Sequence, residues 1–428
     1  MLLIKNGYML DPKSGFEGEA DILIQDGRIK KIYRGVTGLV DETLFDDLQV
    51  IDAGGLYVAP GLVDVHVHFR DPGFLYKEDI ETGAKAAAKG GFTTVVLMAN
   101  TKPVVDNEET LQYILEKGKT TGIHVETCCS VSKGLQGKEL VDYTTLKEKG
   151  AVGFTDDGIP LLEEEFVTEA MTQIAKLQVP ISLHEEDPGL ITNNGVNRGE
   201  ASEYFGIGGS PREAEVTMVA RDIEIAKKTG AIVNIQHISC KETAAMIRKA
   251  KEEGFTNIHG EATPHHFTLT QEAVIEHGTM AKMNPPLRTK EDKVAIIEAI
   301  KDGTLDIIAT DHAPHSEEEK AKSITEAPSG ILGLETAFAL GVGELVEKND
   351  MPLIDLIDRM SYGPANMHQL DAGYLEETGP ADMIIFDPNE LWKVEGFLSK
   401  SQNSPFLGKT MLGKVKKTIC AGKIVYED

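Results

Sequence analysis

Between residues 60 and 371 the chain alternates short apolar runs with longer helix-like stretches, and this alternation narrows its possible folds more than any other property. Strand-length apolar runs occupy 62–67, 93–98, 124–130, 151–155, 181–184, 232–238, 257–262 and 305–309. The segments between them carry helix signals. Residues 77–89 close on Gly90-Gly91. Residues 210–228 open on Ser210-Pro211-Arg212-Glu213, which offers an N-cap serine, a proline at the first helical position and a capping-box glutamate. Eight strand-then-helix units in succession predict an α/β fold, a (β/α)8 TIM barrel.

The two ends read differently. Runs at 2–4, 20–24 and 29–32, with Asp26-Gly27 as a hairpin signal, are strand-like, and the same texture returns at 383–386, 415–420 and 424–426 around Ala421-Gly422. Residues 1–57 are expected to join 372–428 in one small β-sandwich domain, leaving 58–371 as the TIM-barrel domain.

Charge and cysteine usage remove several functions. With 69 acidic against 43 basic residues, a net charge of -26 repels phosphate backbones and argues against nucleic-acid binding. Four cysteines, without CxxC spacing, indicate buried thiols in a reducing compartment and not disulfides or cysteine-held zinc. The first ten residues alternate in polarity, and no run approaches the ~18 apolar residues of a membrane span. A cytoplasmic protein without membrane contact is expected.

Side chains that bind metals follow the apolar runs. His66 and His68 end the first, Asp156-Asp157 follow the fourth, His184 ends the fifth, His237 lies in the sixth, and Asp311-His312 follow the eighth. In a TIM barrel these carboxyl ends converge on one face, where active sites are built. Period 2 along a strand puts His66 and His68 on the same side, suited to gripping one metal. An unsatisfied buried polar group costs roughly 1–3 kcal/mol, so imidazoles aimed into a barrel are hydrogen-bonded or metal-bound. Four histidines and two aspartates exceed the needs of one tetrahedral zinc. A pair of divalent cations with a bridging carboxylate uses them all, polarises a carbonyl and activates water near neutral pH. The chemistry indicated is metal-assisted hydrolysis, and a set of histidines and carboxylates favours zinc.

The stretch Pro60-Gly61-Leu62-Val63-Asp64-Val65-His66-Val67-His68-Phe69-Arg70-Asp71-Pro72-Gly73 resembles the signature of the amidohydrolase superfamily in the form used by dihydroorotases. Ala309-Thr310-Asp311-His312-Ala313-Pro314-His315 resembles the second dihydroorotase signature. Further matches are 153–158, 263–266 and Lys282-Met283-Asn284-Pro285-Pro286-Leu287-Arg288. The similarity runs over essentially the whole chain and is closest to the long bacterial type.

The resemblance implies a site. His66, His68 and Asp311 would hold one Zn2+, His184 and His237 a second, and Asp157 would bridge them. Relatives such as hydantoinases bridge with a carboxylated lysine, but 151–158 contains no lysine. Asp156 is the rival, and the family position favours Asp157. The implied reaction is the reversible closure of N-carbamoyl-L-aspartate to (S)-dihydroorotate in de novo pyrimidine synthesis, with Asp311 as general acid/base. Substrate contacts would come from His68, Arg70, Asn100, Asn284, His315, Ser329 and Gly330. Of these, Arg70, Asn100 and His315 would meet the α-carboxylate, and Asn284 and the backbone at 329–330 the ring amide.

Hydantoinases and allantoinases lack an arginine at the place of Arg70, which separates them from this reading. The other competing readings are one of those cyclic amidases or an inactive scaffold that has lost its ligands. Two departures from the family pattern stand out, Ala99 where proline is usual and Ser329 where a bulky apolar residue is common. The partner is a small molecule. A homodimer is expected by resemblance, and association with aspartate transcarbamoylase is seen in some relatives.

Overall fold

The computed structural model describes residues 1–44 and 47–428. Its centre is a ring of parallel strands, Leu62–Val67, Phe92–Leu97, His124–Thr127, Phe154–Thr155, Ile181–Leu183, Val233–Ile235, Ile258–Ala262 and Ile307–Ile308. The first three pair in one group and the last five in another. Parallel bridges from Cys129 to Phe154 and from Val67 to His312 join the groups, so the ring closes as a (β/α)8 barrel. Every strand falls on a run expected from the sequence. Several are shorter at their carboxyl ends, where the chain leaves the ladder to form the loops of the barrel mouth.

All residues of Leu62–Val67 and Phe92–Leu97 are buried. Val63, Val65, Val96, Met98, Ile307 and Ala309 pack into one cluster, while Leu62, Val67, Phe92, Val95 and Leu97 join the larger core that includes the helices. Asp64 pairs with Val95 and Val67 with Leu97, so the first strand carries one extra residue between them. That bulge shifts the alternation by one position. Val63 and Val65 stay in the inner cluster, and His66 and His68 are brought to the mouth.

Helix ends follow capping chemistry where the side chains are free to supply it. Ile80–Gly90 starts at Asp79, whose carboxylate accepts the Thr82 N–H, and stops at Gly91 with φ 93°. The expectation at Ser210 fails. The helix runs Glu213–Thr229 with Arg212 at its N-cap position and no side-chain cap. The Ser210 hydroxyl is taken by buried Glu186, 3.1 Å away, and its N–H and C=O bond Val196 and Arg198.

Both chain ends build one eight-stranded sheet beside the barrel. Leu2–Asp11 pairs with Phe16–Gln25 antiparallel and with Gln49–Asp52 and Tyr57–Pro60 in parallel. Tyr57–Pro60 in turn pairs with Met383–Lys393, which continues to Thr410–Cys420 and Lys423–Glu427. Asp26-Gly27 and Ala421-Gly422 form two-residue turns with both φ angles positive, the twist that suits a hairpin. The sheet curls over its own core of Leu2, Ile4, Ile22, Ile24, Met383, Ile385 and Ile419. Its edge hairpin returns to the opposite side, with Ala381 N–H bonded to Gly27 O at 3.0 Å.

One part of the C-terminal region leaves this sheet. Between Met383–Lys393 and Thr410–Cys420 the chain crosses the loops at the barrel mouth. Ser399 Oγ donates to Glu78, Ser401 Oγ to Lys77 O at 2.8 Å, and Asn403 Nδ2 to Ala313 O at 3.0 Å. Part of the segment 372–428, expected to lie with the sheet, thus also contacts the barrel's loops, through residues far apart in the chain.

Candidate active site

The strand ends deliver His66, His68, Asp157, His184, His237 and Asp311 to one place. His66 Nε2 stands 3.4 Å from Asp157 Oδ1 and 3.5 Å from Asp311 Oδ1. His68 Nε2 lies 3.3 Å from Asp157 Oδ2 and 3.1 Å from Asp311 Oδ1. On the other side of Asp157, Oδ1 is 3.7 Å from His184 Nδ1 and 3.6 Å from His237 Nε2, and these two nitrogens are 2.9 Å apart. All six side chains are buried.

Asp156 is turned away. Its Oδ1 accepts the N–H groups of Val131 at 2.7 Å and Ser132 at 3.1 Å, and its Oδ2 accepts the Ser132 hydroxyl. His312 also faces elsewhere, with Nδ1 accepting the Gly333 N–H. Positive φ angles mark three site residues, His237 at 33°, Asp311 at 49° and Arg70 at 60°. Such conformations cost of order 1–3 kcal/mol each and persist where the surroundings enforce them.

Burial alone would raise the pKa of Asp157 and Asp311, but the imidazoles beside them, His66 foremost, outweigh it and hold both carboxyls well below their ordinary range. Two carboxylates thus stay ionised inside the mouth. The outer ring nitrogens of His66 and His184 are engaged as well. His66 Nδ1 is 2.8 Å from Glu261 Oε1, and that oxygen also accepts the backbone N–H of His237 at 3.2 Å. His184 Nε2 is 3.2 Å from Glu186 Oε2, which leaves Nδ1 for the mouth. Glu261 and Glu186 were not identified from sequence. The available signal was an acidic residue inside the apolar run 257–262 and another two residues beyond His184.

The donor atoms fit metal coordination. His66, His68 and Asp157 form one group able to hold an ion, and Asp157, His184 and His237 form another. Bonds of ~2.0–2.1 Å at the tetrahedral angle set neighbouring donors roughly 3.3 Å apart. The separations above, 2.9 to 3.7 Å, scatter around that value. His66 Nε2 and Asp157 Oδ1 are buried without a hydrogen-bond partner, as donors reserved for a cation would be.

Beside these groups lies a cavity of ≈ 400 Å³ lined by His68, Arg70, Asn100, Asn284, His315, Ser329 and Gly330. All seven residues expected to meet substrate are therefore together. Arg70 Nε donates to Pro314 O at 3.3 Å, and Nη2 lies 3.5 Å from His315 Nε2. Asn100 Oδ1 is 3.0 Å from His68 Nδ1, and its amide nitrogen reaches Asp157 Oδ2 at 3.3 Å. Among the described residues no carboxylate lies within ion-pair distance of Arg70. Asn284 Oδ1 and Ser329 Oγ are buried and unpartnered.

Comparison with known proteins gives the family and the fold. A family described as Dihydro-orotase-like matches residues 55–243. A dihydroorotase of Clostridioides difficile (strain 630) is 55% identical over 427 residues, covering 100% of both chains. The chain belongs to the dihydroorotase family. A second dihydroorotase, from Streptococcus pneumoniae serotype 4, is 50% identical over 429 residues and again covers 100% of both chains. Among solved structures, an L-hydantoinase (dihydropyrimidinase) from Arthrobacter aurescens superposes with a TM-score of 0.88 at 24% identity, over 100% of this chain and 96% of that one. That likeness concerns the fold: a barrel with a companion β unit is shared beyond the dihydroorotases. No helix among the described residues is long and apolar enough to cross a membrane.

Proposed function

We propose that the barrel mouth interconverts N-carbamoyl-L-aspartate and (S)-dihydroorotate, the ring-closing step of pyrimidine synthesis, with two zinc ions per subunit. His66, His68 and Asp311 would hold one, His184 and His237 the other, and Asp157 both. One observation carries the reading: Arg70, a cation without an acidic partner among the described residues, lines the same cavity as the convergent imidazoles and carboxylates. A guanidinium desolvated in a pocket is matched by a carboxylate, which dihydroorotate has and hydantoin and allantoin lack.

Bound zinc would polarise the scissile carbonyl and lower the pKa of water at the site. In the hydrolytic direction Asp311 takes the proton of the attacking water and hands it to the departing ring nitrogen, so one carboxylate serves as base and then as acid. Arg70 and Asn100 hold the α-carboxylate, with neutral His315 packed beside them against the Ser329 carbonyl. Asn284 Oδ1, which has no partner among the described residues, is free to accept from a ring N–H.

The test is parallel hydrolysis of dihydroorotate, hydantoin and allantoin. Turnover of dihydroorotate alone is expected, and faster hydantoin cleavage would overturn the assignment. Chelation should lower the rate by at least about 10²-fold, with zinc restoring it; activity that survives metal-free dialysis contradicts the mechanism. Glu261→Gln should weaken zinc affinity about 10- to 100-fold, because the amide no longer fixes His66 with Nε2 toward the mouth. Competition with a chromophoric chelator measures it.

The catalytic unit is proposed to span 58–371 with the crossing segment 394–409, the rest of 1–57 and 372–428 forming the supporting sheet. By family resemblance the protein is further proposed to be a cytoplasmic homodimer able to associate with aspartate transcarbamoylase.

A further inference from the structure

The cavity wall at 327–330 has each of its four carbonyls bound by a buried donor. Lys282 Nζ donates to Ala327 O at 2.7 Å. Lys320 Nζ donates to Pro328 O at 2.9 Å and to Gly330 O at 3.1 Å. His315 Nε2 lies 2.8 Å from Ser329 O, and Asn403 Nδ2 donates to Gly330 O at 3.1 Å. The Gly330 N–H is used too, bonding Lys282 O at 2.8 Å. Two groups remain, both on Ser329: its N–H has no hydrogen-bond partner among the described residues, and its Oγ is buried and unpaired.

This arrangement is costly to build, which argues for a purpose. Lys282 and Lys320 are each 2% exposed, and neither has a carboxylate within ion-pair distance among the described residues. Burial pulls the Lys282 ammonium toward neutrality and brings Lys320 down to about 7. Even a neutral amine carries two N–H groups, enough for the two carbonyls Lys320 serves. A loop at a cavity rim needs no lysine for this, since water satisfies carbonyls at little expense. Water would leave the loop mobile, however, and its oxygens free to turn toward the ligand. The packing is correspondingly close: at Gly330, φ 120°, a Cβ would come within 2.6 Å of the Ala313 Cβ.

We propose that Lys282, Lys320 and Asn403 are positioning residues for substrate binding. By holding the carbonyls of 327–330 they make this wall a face of donors, the Ser329 N–H and hydroxyl, suited to the carbonyl and carboxylate oxygens of an anionic cyclic amide. An acceptor-lined wall would repel the same ligand. Asn403 adds a link to the carboxylate side, because its Oδ1 accepts the His315 N–H at 3.0 Å while Nδ2 also serves Ala313 O. The inference rests on the proposed dihydroorotase activity.

The decisive variant is Lys320→Met, which keeps the stem and removes the donors. KM for dihydroorotate should rise about tenfold, with kcat within about threefold and zinc content unchanged, since a shifted loop weakens binding without touching the proton path. Asn403→Asp is the second variant: it keeps the size and the acceptor for His315 N–H, replaces the donor with an oxygen, and should raise KM in the same way whether or not Lys320→Met folds. A wild-type KM in either folded variant, or a loss confined to kcat, overturns the inference. An unmodified enzyme inert toward dihydroorotate would instead overturn the functional assignment, so the two failures are distinct.

Discussion

Asp311→Asn is expected to lower kcat for dihydroorotate hydrolysis about 10³-fold, and for the reverse cyclisation equally, while the protein keeps part of its bound metal. The substitution preserves shape and leaves one oxygen near the imidazoles, but an amide accepts no proton in the working pH range. The position is enforced by its neighbours. Asp311 adopts φ 49°, the next N–H is bonded to Thr310 Oγ1 at 3.0 Å, and the Thr310 N–H is bonded to buried Asp64 at 3.1 Å. Steady-state rates in both directions, with metal content of the same samples, provide the check. A variant within tenfold of the parent would remove Asp311 from the proton path. Equal loss of zinc and activity would make it a ligand and nothing more.

Arg70→Ala should raise KM for dihydroorotate about 30- to 100-fold and lower kcat less, the loss expected for a desolvated charge-assisted pair. The environment favours an anion at this spot. His315, packed against Arg70, has its pKa driven far below its usual range by burial first and by the cations Arg70, Lys77 and Lys320 next, so it stays neutral and leaves the Arg70 guanidinium as the positive member of this pair. Inhibition by orotate, which keeps the carboxylate, should weaken in parallel. An unchanged KM would remove Arg70 from the carboxylate contact and reopen the neutral cyclic amides as substrates.

The barrel could be read from sequence because its strands are buried on both faces and so appear as uninterrupted apolar runs. The candidate ligands were legible for a related reason: each lies at or just beyond the carboxyl end of such a run, and barrel topology converts that position into proximity. What escaped reading depends on contacts that no local pattern encodes. The bulge between Asp64 and Val67 becomes visible only through pairing with Val95 and Leu97. Glu261 is a lone acid in an apolar run, and the His66 ring it meets lies 195 positions away in sequence. Ser210 carried a sound capping signal that a buried glutamate took over. Asn403 sits in a polar stretch with nothing to distinguish it, and its partners lie 73 to 90 positions earlier.

Because Asn403 fastens the wall of the cavity, the timing of synthesis bears on when the enzyme becomes competent. A nascent polypeptide that has released the eight strands already owns every candidate metal-binding side chain, yet the carbonyls of Ala313 and Gly330 wait for Asn403, made 90 and 73 residues later. Gathering of the candidate ligands and completion of the proposed substrate wall are thus separate events in the order of synthesis.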